Sequence, residues 1–165
     1  MNLLIQVYRK LRYNNRNYLI SCVKRYSHVS GKQILEIGSG ECTFESFFLG
    51  NTFVKSEFQP QNGFRQIDVT SFDDIDTWDI IIFANVLEHV FEIQKSINNI
   101  YCALRKGGMV LIHVPFDYPI HMEPHDYWRI TEFGLRKLLV QFSSVIVHSH
   151  GPKRKPFSYF VVAVK

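Results

Sequence analysis

Ile34-Leu35-Glu36-Ile37-Gly38-Ser39-Gly40 is the stretch on which the reading of this chain turns. An apolar run ends in an acid, and two glycines follow two residues apart. The pattern predicts a buried parallel strand, Gln33–Ile37, that turns sharply at its carboxyl end and leaves backbone N–H groups toward a crevice. A pyrophosphate-binding turn has no use for a carboxylate just before its first glycine, because the two anions repel. Glu36 suits a ligand that carries positive charge, such as an amino-acid ammonium or a sulfonium.

Outward from this stretch, strands and helices alternate. Residues 43–49 are expected as a short helix leaving the glycine turn, and residues 52–58 as a second strand ending at Glu57. Residues 65–69 read as a short third strand, before an acidic loop with Asp73, Asp74 and Asp76. Residues 79–84 form a continuous apolar run, the mark of a strand buried on both faces. Residues 91–104 carry Ile93, Ile97, Ile100, Tyr101 and Leu104 at helical spacing. Lys106-Gly107-Gly108 is expected to close that helix before a strand at 109–114. Thr131 is a candidate N-cap for a helix through Leu139, with Phe133, Leu135, Leu138 and Leu139 as its buried stripe. Residues 144–148 and 157–164 finish the chain as an antiparallel pair, and a helix over about 15–28 precedes the first strand. The alternation predicts a three-layer α/β sandwich around a mostly parallel sheet.

A second stretch, Ala84-Asn85-Val86-Leu87-Glu88-His89-Val90, follows the fourth strand. Together the two stretches resemble the class I S-adenosylmethionine-dependent methyltransferases. That family opens on an acid-x-Gly-x-Gly-x-Gly loop, here Glu36, Gly38 and Gly40, with Cys42 in place of the third glycine. Its small-molecule members often carry Val-Leu-Glu-His after strand four. The likeness runs from about residue 32 to the C-terminus and implies a Rossmann-like sheet of seven strands in the order 3-2-1-4-5-7-6, only the last antiparallel. Residues 59–64 and 71–78 are mostly loop, so the helices between strands two, three and four are expected to be short or missing. Residues 1–31 read as a basic helical segment and 32–165 as the methyltransferase domain, one globular unit overall.

The resemblance assigns roles to the strand ends, where ligands of such sheets bind. Glu36 would hold the methionine part of S-adenosylmethionine, directly or through water. Gly38, Ser39 and Gly40 would let the backbone approach it closely. Glu57 would accept from both ribose hydroxyls, the alternative being a surface acid. Asp68 would accept from the adenine amine or, alternatively, cap a turn at Thr70 or Ser71. Asn85 would flank the methionine moiety and Val86 would pack near the adenine or the substrate mouth. The product would be S-adenosylhomocysteine.

Methyl transfer is an in-line displacement at a sulfonium carbon, so the protein positions the nucleophile and takes its proton. Residues 113–129 follow the fifth strand and are dense in histidines and aromatics, which suits a lid. His125 with Asp126 is the first choice of general base and His89 the second, imidazole titrating near neutrality. Alternatively, residues 125–129 form a structural latch with Trp128 packed and Arg129 paired to an acid. The segment resembles one in bacterial methyltransferases of glycan and other small-molecule pathways. Some metal-assisted methyltransferases carry Glu-x-x-Glu-His after strand four and a later His-Asp-His. Here Glu88, His89 and His125-Asp126 match, but Asn85 stands where the first Glu would be. A divalent metal is therefore an open expectation rather than the favoured one, and no metal ligands are assigned.

With 165 residues, 46% of them hydrophobic, the chain can bury a sizeable core. It has no apolar run long enough to span a bilayer. Its three cysteines lack metal or redox spacing and fit a reducing cytoplasm. The first 35 residues contain no acid but carry Arg9, Lys10, Arg12, Arg16, Lys24, Arg25 and Lys32. That basic stretch suits RNA, an anionic surface or an acidic substrate, or else a solvated helix packed through Leu11, Tyr18, Leu19 and Val23. The expected activity is methylation of an oxygen, or else a nitrogen, of a small-molecule or glycan-like acceptor. The rivals are an RNA methyltransferase and a non-catalytic scaffold of the same fold. The oligomeric state is not legible.

Overall fold

A computed structural model describes residues 3–40, 43–59 and 62–165. Helix α1 (Leu3–Lys24) leads into β1 (Gln33–Ile37), β2 (Thr52–Glu57), β3 (Arg65–Gln66) and β4 (Trp78–Ala84). Then come α2 (Ile93–Ala103), β5 (Leu104–Pro115), α3 (Glu132–Leu138), β6 (Ser144–His150) and β7 (Ser158–Val164). The seven strands form one sheet in the order β3-β2-β1-β4-β5-β7-β6. The β3-β2-β1-β4-β5 ladders are parallel, and β7 runs antiparallel between β5 and β6. This is the expected seven-stranded Rossmann-like topology.

The apolar run of β4 explains why the sheet is central. Side chains of a strand alternate between faces, and Ile81 and Phe83 enter one core while Ile80 and Ile82 enter the other. The first core lies under α2 and α3 and includes Leu35, Ile97, Ile100, Ile112, Leu135 and Val161. The second lies under α1 and includes Leu19, Cys22, Val23, Ile34, Leu111 and Phe160. Each such side chain, fully buried, contributes about 1.5–3 kcal/mol. Leu19 and Val23 thus pack as expected, and half-buried Tyr18 stacks on His150 with ring centroids 4.3 Å apart. Leu11, Arg9 and Arg12 have side chains outside the described set.

Several element boundaries differ from expectation. Helix α1 starts twelve residues earlier, at Leu3 rather than 15, and ends at Lys24; no Gly or Pro interrupts residues 1–30. Residues 43–49 form only a single 3-10 turn, Glu45–Phe47, and β3 pairs over two residues. Lys106-Gly107-Gly108 does not close α2, which stops at Ala103; it lies in a bulge of β5, where the register against β4 shifts between Trp78 and Ile80. A Cβ on Gly108 would stand 2.9–3.2 Å from the carbonyls of Arg105, Trp78 and Asp79, so glycine there serves the bulge. Thr131 caps α3 by accepting from Gly134 N, 3.1 Å, as expected. Phe133 leaves the predicted stripe and is 82% exposed, because it stands two positions before Leu135 and α3 turns it to the opposite face.

Candidate active site

The glycine turn after β1 and the turn after β4 meet. Gly38 adopts φ +71°, and a Cβ there would lie 2.4 Å from Val86 Cγ2. The close approach of the two motifs therefore needs glycine twice over, for its backbone and for its missing side chain. Beside the turn lies a cavity of about 660 Å³, within the size range of small-molecule sites.

One end of the cavity is set by β1. Glu36 is buried, and its Oε2 accepts from Thr43 Oγ1 at 2.5 Å and Phe44 N at 3.2 Å. Burial outweighs these bonds and pushes its carboxyl up to about 7. Gly38, Ser39 and Gly40 line the cavity too. Their N–H groups, however, do not face it freely. Gly38 N and Ser39 N both donate to Ser56 O at 3.0 Å, and Gly40 N donates to Glu57 Oε1. β2 therefore ties down the loop that the sequence suggested was open. Glu57 lies outside the lining, holding the turn from behind. Asp68, also outside it, accepts from Thr70 N and Thr70 Oγ1, both at 2.8 Å. That is the turn-cap geometry weighed as its alternative. Cys42 lies outside the described residues.

The other end is set by β4, β5 and the segment after β5. Asn85 sits at φ +56°, its N donating to His113 O at 2.8 Å. Asn85 Oδ1 lies 2.7 Å from His113 Nδ1, which makes Nδ1 the protonated nitrogen. Burial pushes His113 down to about 3, so the ring is neutral, and its Nε2 is buried with no hydrogen-bond partner among the described residues. Glu88 is equally unusual. It is 1% exposed, both carboxylate oxygens lack hydrogen-bond partners among the described residues, and burial pushes it up to about 8. His89 Nε2 and His121 Nε2 each stand 3.9 Å from Glu88 Oε1. Glu88, His89, His113, Tyr118 and His121 all line the cavity.

The expected His125–Asp126 pair does not assemble. His125 is exposed and outside the lining; its Nδ1 lies 2.8 Å from Tyr127 Oη and its carbonyl 2.8 Å from His89 Nδ1. The imidazole beside Asp126 is His121, with Nδ1 3.2 Å from Oδ2. Arg129 grips Asp126 through two hydrogen bonds of 2.6 and 2.7 Å, which hold that carboxyl down at about 2. Trp128 Nε1 donates to Val90 O at 3.0 Å. Residues 125–129 thus have the geometry of the latch, and they fix His89 and His121 rather than supply the ring nearest the crevice.

Sequence reasoning missed His113 and His121, and it missed the contribution of α1. Asn15, Arg16, Leu19 and Ile20 line the cavity. Asn15 is buried, and its Oδ1 lies 3.0 Å from His150 Nδ1 and 3.2 Å from Ser158 Oγ. A signal existed: Asn15 interrupts the i, i+4, i+8 stripe shared with Leu19 and Val23, and a polar residue on a buried stripe needs partners.

Residues 50–112 match a family model described as a methyltransferase domain. Among solved structures, the fold is similar to a 1,6-didemethyltoxoflavin-N1-methyltransferase of Burkholderia thailandensis, with bound 1,6-didemethyltoxoflavin and S-adenosylhomocysteine. The two share 17% identity over 98% of this chain and 85% of that one, with a TM-score of 0.74. A SAM-dependent methyltransferase from Archaeoglobus fulgidus matches at 12% identity, over 99% of this chain and all of its own, with a TM-score of 0.71. The CurJ carbon methyltransferase matches at 16% identity and a TM-score of 0.64 over 82% of this chain, which spans about half, 48%, of that longer protein. No curated protein sequence matches. Identities this low establish the shared fold.

Proposed function

We propose that this chain is a class I S-adenosylmethionine-dependent methyltransferase that moves a methyl group from S-adenosylmethionine to an oxygen of a small-molecule or glycan-like acceptor. One observation carries the reading: a single cavity has a buried carboxylate, Glu36, at its β1 end and a carboxylate with two imidazoles at its β4–β5 end. Glu36 takes the ammonium of the methionine moiety, whose charge stabilises a carboxylate that burial disfavours. The Gly38–Gly40 backbone and Asn85 flank that moiety. The adenosine half runs past the cavity's edge along the ends of β2 and β3, where Glu57 accepts from the ribose hydroxyls with the lone pairs that Gly40 leaves over, Val86 packs beside the adenine, and Asp68 Oδ2 accepts from its amine.

In the transfer, an acceptor oxygen attacks the methyl carbon in line with the carbon–sulfur bond. The bonding pair leaves with sulfur, giving neutral S-adenosylhomocysteine, and His89 takes the acceptor's proton. His125 acts through its carbonyl, which fixes the His89 ring. Asp126 acts through His121. An imidazole base is what a hydroxyl acceptor requires and an already nucleophilic amine does not. Exposed Lys10, Arg16 and Lys24 of α1, with Arg25 just after it, support an RNA acceptor as the second reading. The buried free thiol of Cys22 suits a reducing compartment such as the cytoplasm.

Calorimetric titration with S-adenosylmethionine and S-adenosylhomocysteine tests the cofactor. Folded protein that binds neither removes the proposal. Transfer of labelled methyl across hydroxylated small molecules, saccharides and RNA then separates the acceptors. Binding to RNA that weakens steeply with salt, accompanied by labelling, would replace the small acceptor with RNA.

A further inference from the structure

We infer that Glu88, His89 and His121 form a binding site for a divalent transition-metal cation at the acceptor end of the cavity. The inference deepens the proposed function by naming how that end engages oxygen. One ligand atom from each of the three residues lies within 4.8 Å of the other two. Two features make the cluster more than a chance meeting of polar groups.

The first is Glu88 itself. It is 1% exposed and lines the cavity, and neither carboxylate oxygen has a hydrogen-bond partner among the described residues. An unsatisfied buried carboxylate is costly, and natural interiors seldom keep one without a ligand for it. Its backbone is well held, since Glu88 O accepts from Tyr127 N at 2.9 Å and from Trp128 N at 3.3 Å. The side chain is thus kept in place by the segment after β5.

The second is the orientation of both imidazoles. His89 Nδ1 lies 2.8 Å from the carbonyl of His125, and His121 Nδ1 lies 3.2 Å from Asp126 Oδ2. An acceptor at Nδ1 places the proton there and leaves Nε2 with a bare lone pair. In both rings that Nε2 stands 3.9 Å from Glu88 Oε1. A carbonyl or carboxylate behind one nitrogen, with the other turned to a shared point, is how proteins prepare histidines for a metal. Ligand atoms about 2.0–2.1 Å from a tetrahedral ion stand about 3.4 Å from one another. Closing from 3.9 Å is a shift of about half an ångström, within rotamer freedom.

The donor set, two imidazoles and one carboxylate, selects a borderline ion such as Zn²⁺, Fe²⁺ or Co²⁺ over Mg²⁺ or Ca²⁺. On a tetrahedral ion, three protein ligands leave one position open toward the cavity for an acceptor oxygen. An acceptor hydroxyl bound there would be acidified by the ion and give its proton to solvent, so that with the ion in place His89 holds the metal and no longer serves as the base. Arg129 adds little repulsion, because Asp126 already engages it through two bonds.

The test titrates Co²⁺, Zn²⁺ and Mn²⁺ into chelator-treated full-length protein. Binding is followed by calorimetry and, for Co²⁺, by the visible ligand-field absorption. One ion per chain is expected. Glu88→Gln, nearly isosteric, and His121→Ala should each weaken binding by more than about 100-fold, and Asp126→Asn by about 10–100-fold. Thermal unfolding confirms that each variant is folded. S-adenosylhomocysteine binding, measured on metal-free protein, reads the cofactor end separately, so loss of one leaves the other standing. Absence of stoichiometric binding, or binding that survives both Glu88→Gln and His121→Ala in folded protein, overturns the site.

Discussion

The two ends of the cavity treat their polar groups in opposite ways. On the β1–β2 side, the chain satisfies itself: Ser56 O takes Gly38 N and Ser39 N, Glu57 takes Gly40 N, Thr43 and Phe44 bond Glu36, and Asp68 bonds Thr70. On the β4–β5 side, the Glu88 carboxylate and His113 Nε2 are buried and find no hydrogen-bond partner among the described residues. A self-satisfied loop costs nothing to keep rigid and holds its shape before any ligand arrives. Unsatisfied buried groups carry a standing penalty of about 1–3 kcal/mol each that a ligand relieves. The first end is built as a scaffold and the second as a receptor. Changes at the first should therefore act on stability and shape, and changes at the second on what binds.

The sharpest break of the scaffold is Gly38→Ala. Its Cβ would meet Val86 Cγ2 at 2.4 Å in a backbone with φ +71°, so overpacking and strain add. A loss of about 2–4 kcal/mol is expected in urea unfolding. Gly40→Ala at φ +56° meets nothing within 4 Å and should lose only the backbone part, about 1–2 kcal/mol. Equal losses for the two would show that the contact between the motifs is not what makes Gly38 necessary.

Glu36 is where the scaffold meets the ligand, and there stability and binding should move in opposite directions. Its folded pKa, about 7, lies above its ordinary 4.5. A raised acid contributes stability that is complete below pH 4.5 and lost as pH climbs through 7, about 3 kcal/mol in all. Glu36→Gln stays neutral and should remove that decline, leaving the variant about 2–3 kcal/mol more stable than the parent at pH 8 in urea melts. The same change should weaken S-adenosylmethionine about 10–100-fold, the worth of a charge-assisted hydrogen bond. In the parent, binding a cation ionises the carboxylate, so a proton leaves on binding below pH 7 and affinity falls up to about tenfold per unit of acidification. Calorimetry in buffers of different ionisation enthalpy counts that proton. Zero release at pH 6 would place the ligand's charge elsewhere.

How far the sequence went follows the same divide. β1, β2 and β4 were legible because apolar runs and glycines report local backbone and a two-sided core, both dictated by near neighbours in sequence, whereas the strand order came from the resemblance to the methyltransferase family alone. The 3-10 turn at Glu45–Phe47, the two-residue β3 and the bulge at Gly107-Gly108 were not, since each depends on what the segment pairs with in space. In the site, Glu36, Gly38, Asn85 and His89 sit at strand ends, where topology alone places them. His121 and His125 lie in one loop with the same local chemistry. Only the reach of Arg129 to Asp126 and the tie of His125 to Tyr127 decide which ring turns inward. Asn15 comes from a helix about twenty residues ahead of β1, and no motif joins the two.

Asp68 gives the finest reading of the divide, because both its roles remain chemically open while their signatures differ. Its Oδ1 closes a turn through Thr70 N and Oγ1, and Asp68→Ala removes both bonds at a partly exposed site, an expected cost of about 1 kcal/mol. If the residue belongs wholly to the scaffold, that loss appears in the unfolding midpoint alone, and S-adenosylhomocysteine binds as before. If Oδ2 also accepts the adenine amine, affinity for S-adenosylhomocysteine falls about 5–10-fold, the worth of one neutral-donor bond. Replacing the adenine amine by hydrogen in the ligand should then cost the parent protein affinity and cost Asp68→Ala nothing further. Independent, additive losses from the two changes would return Asp68 to the turn.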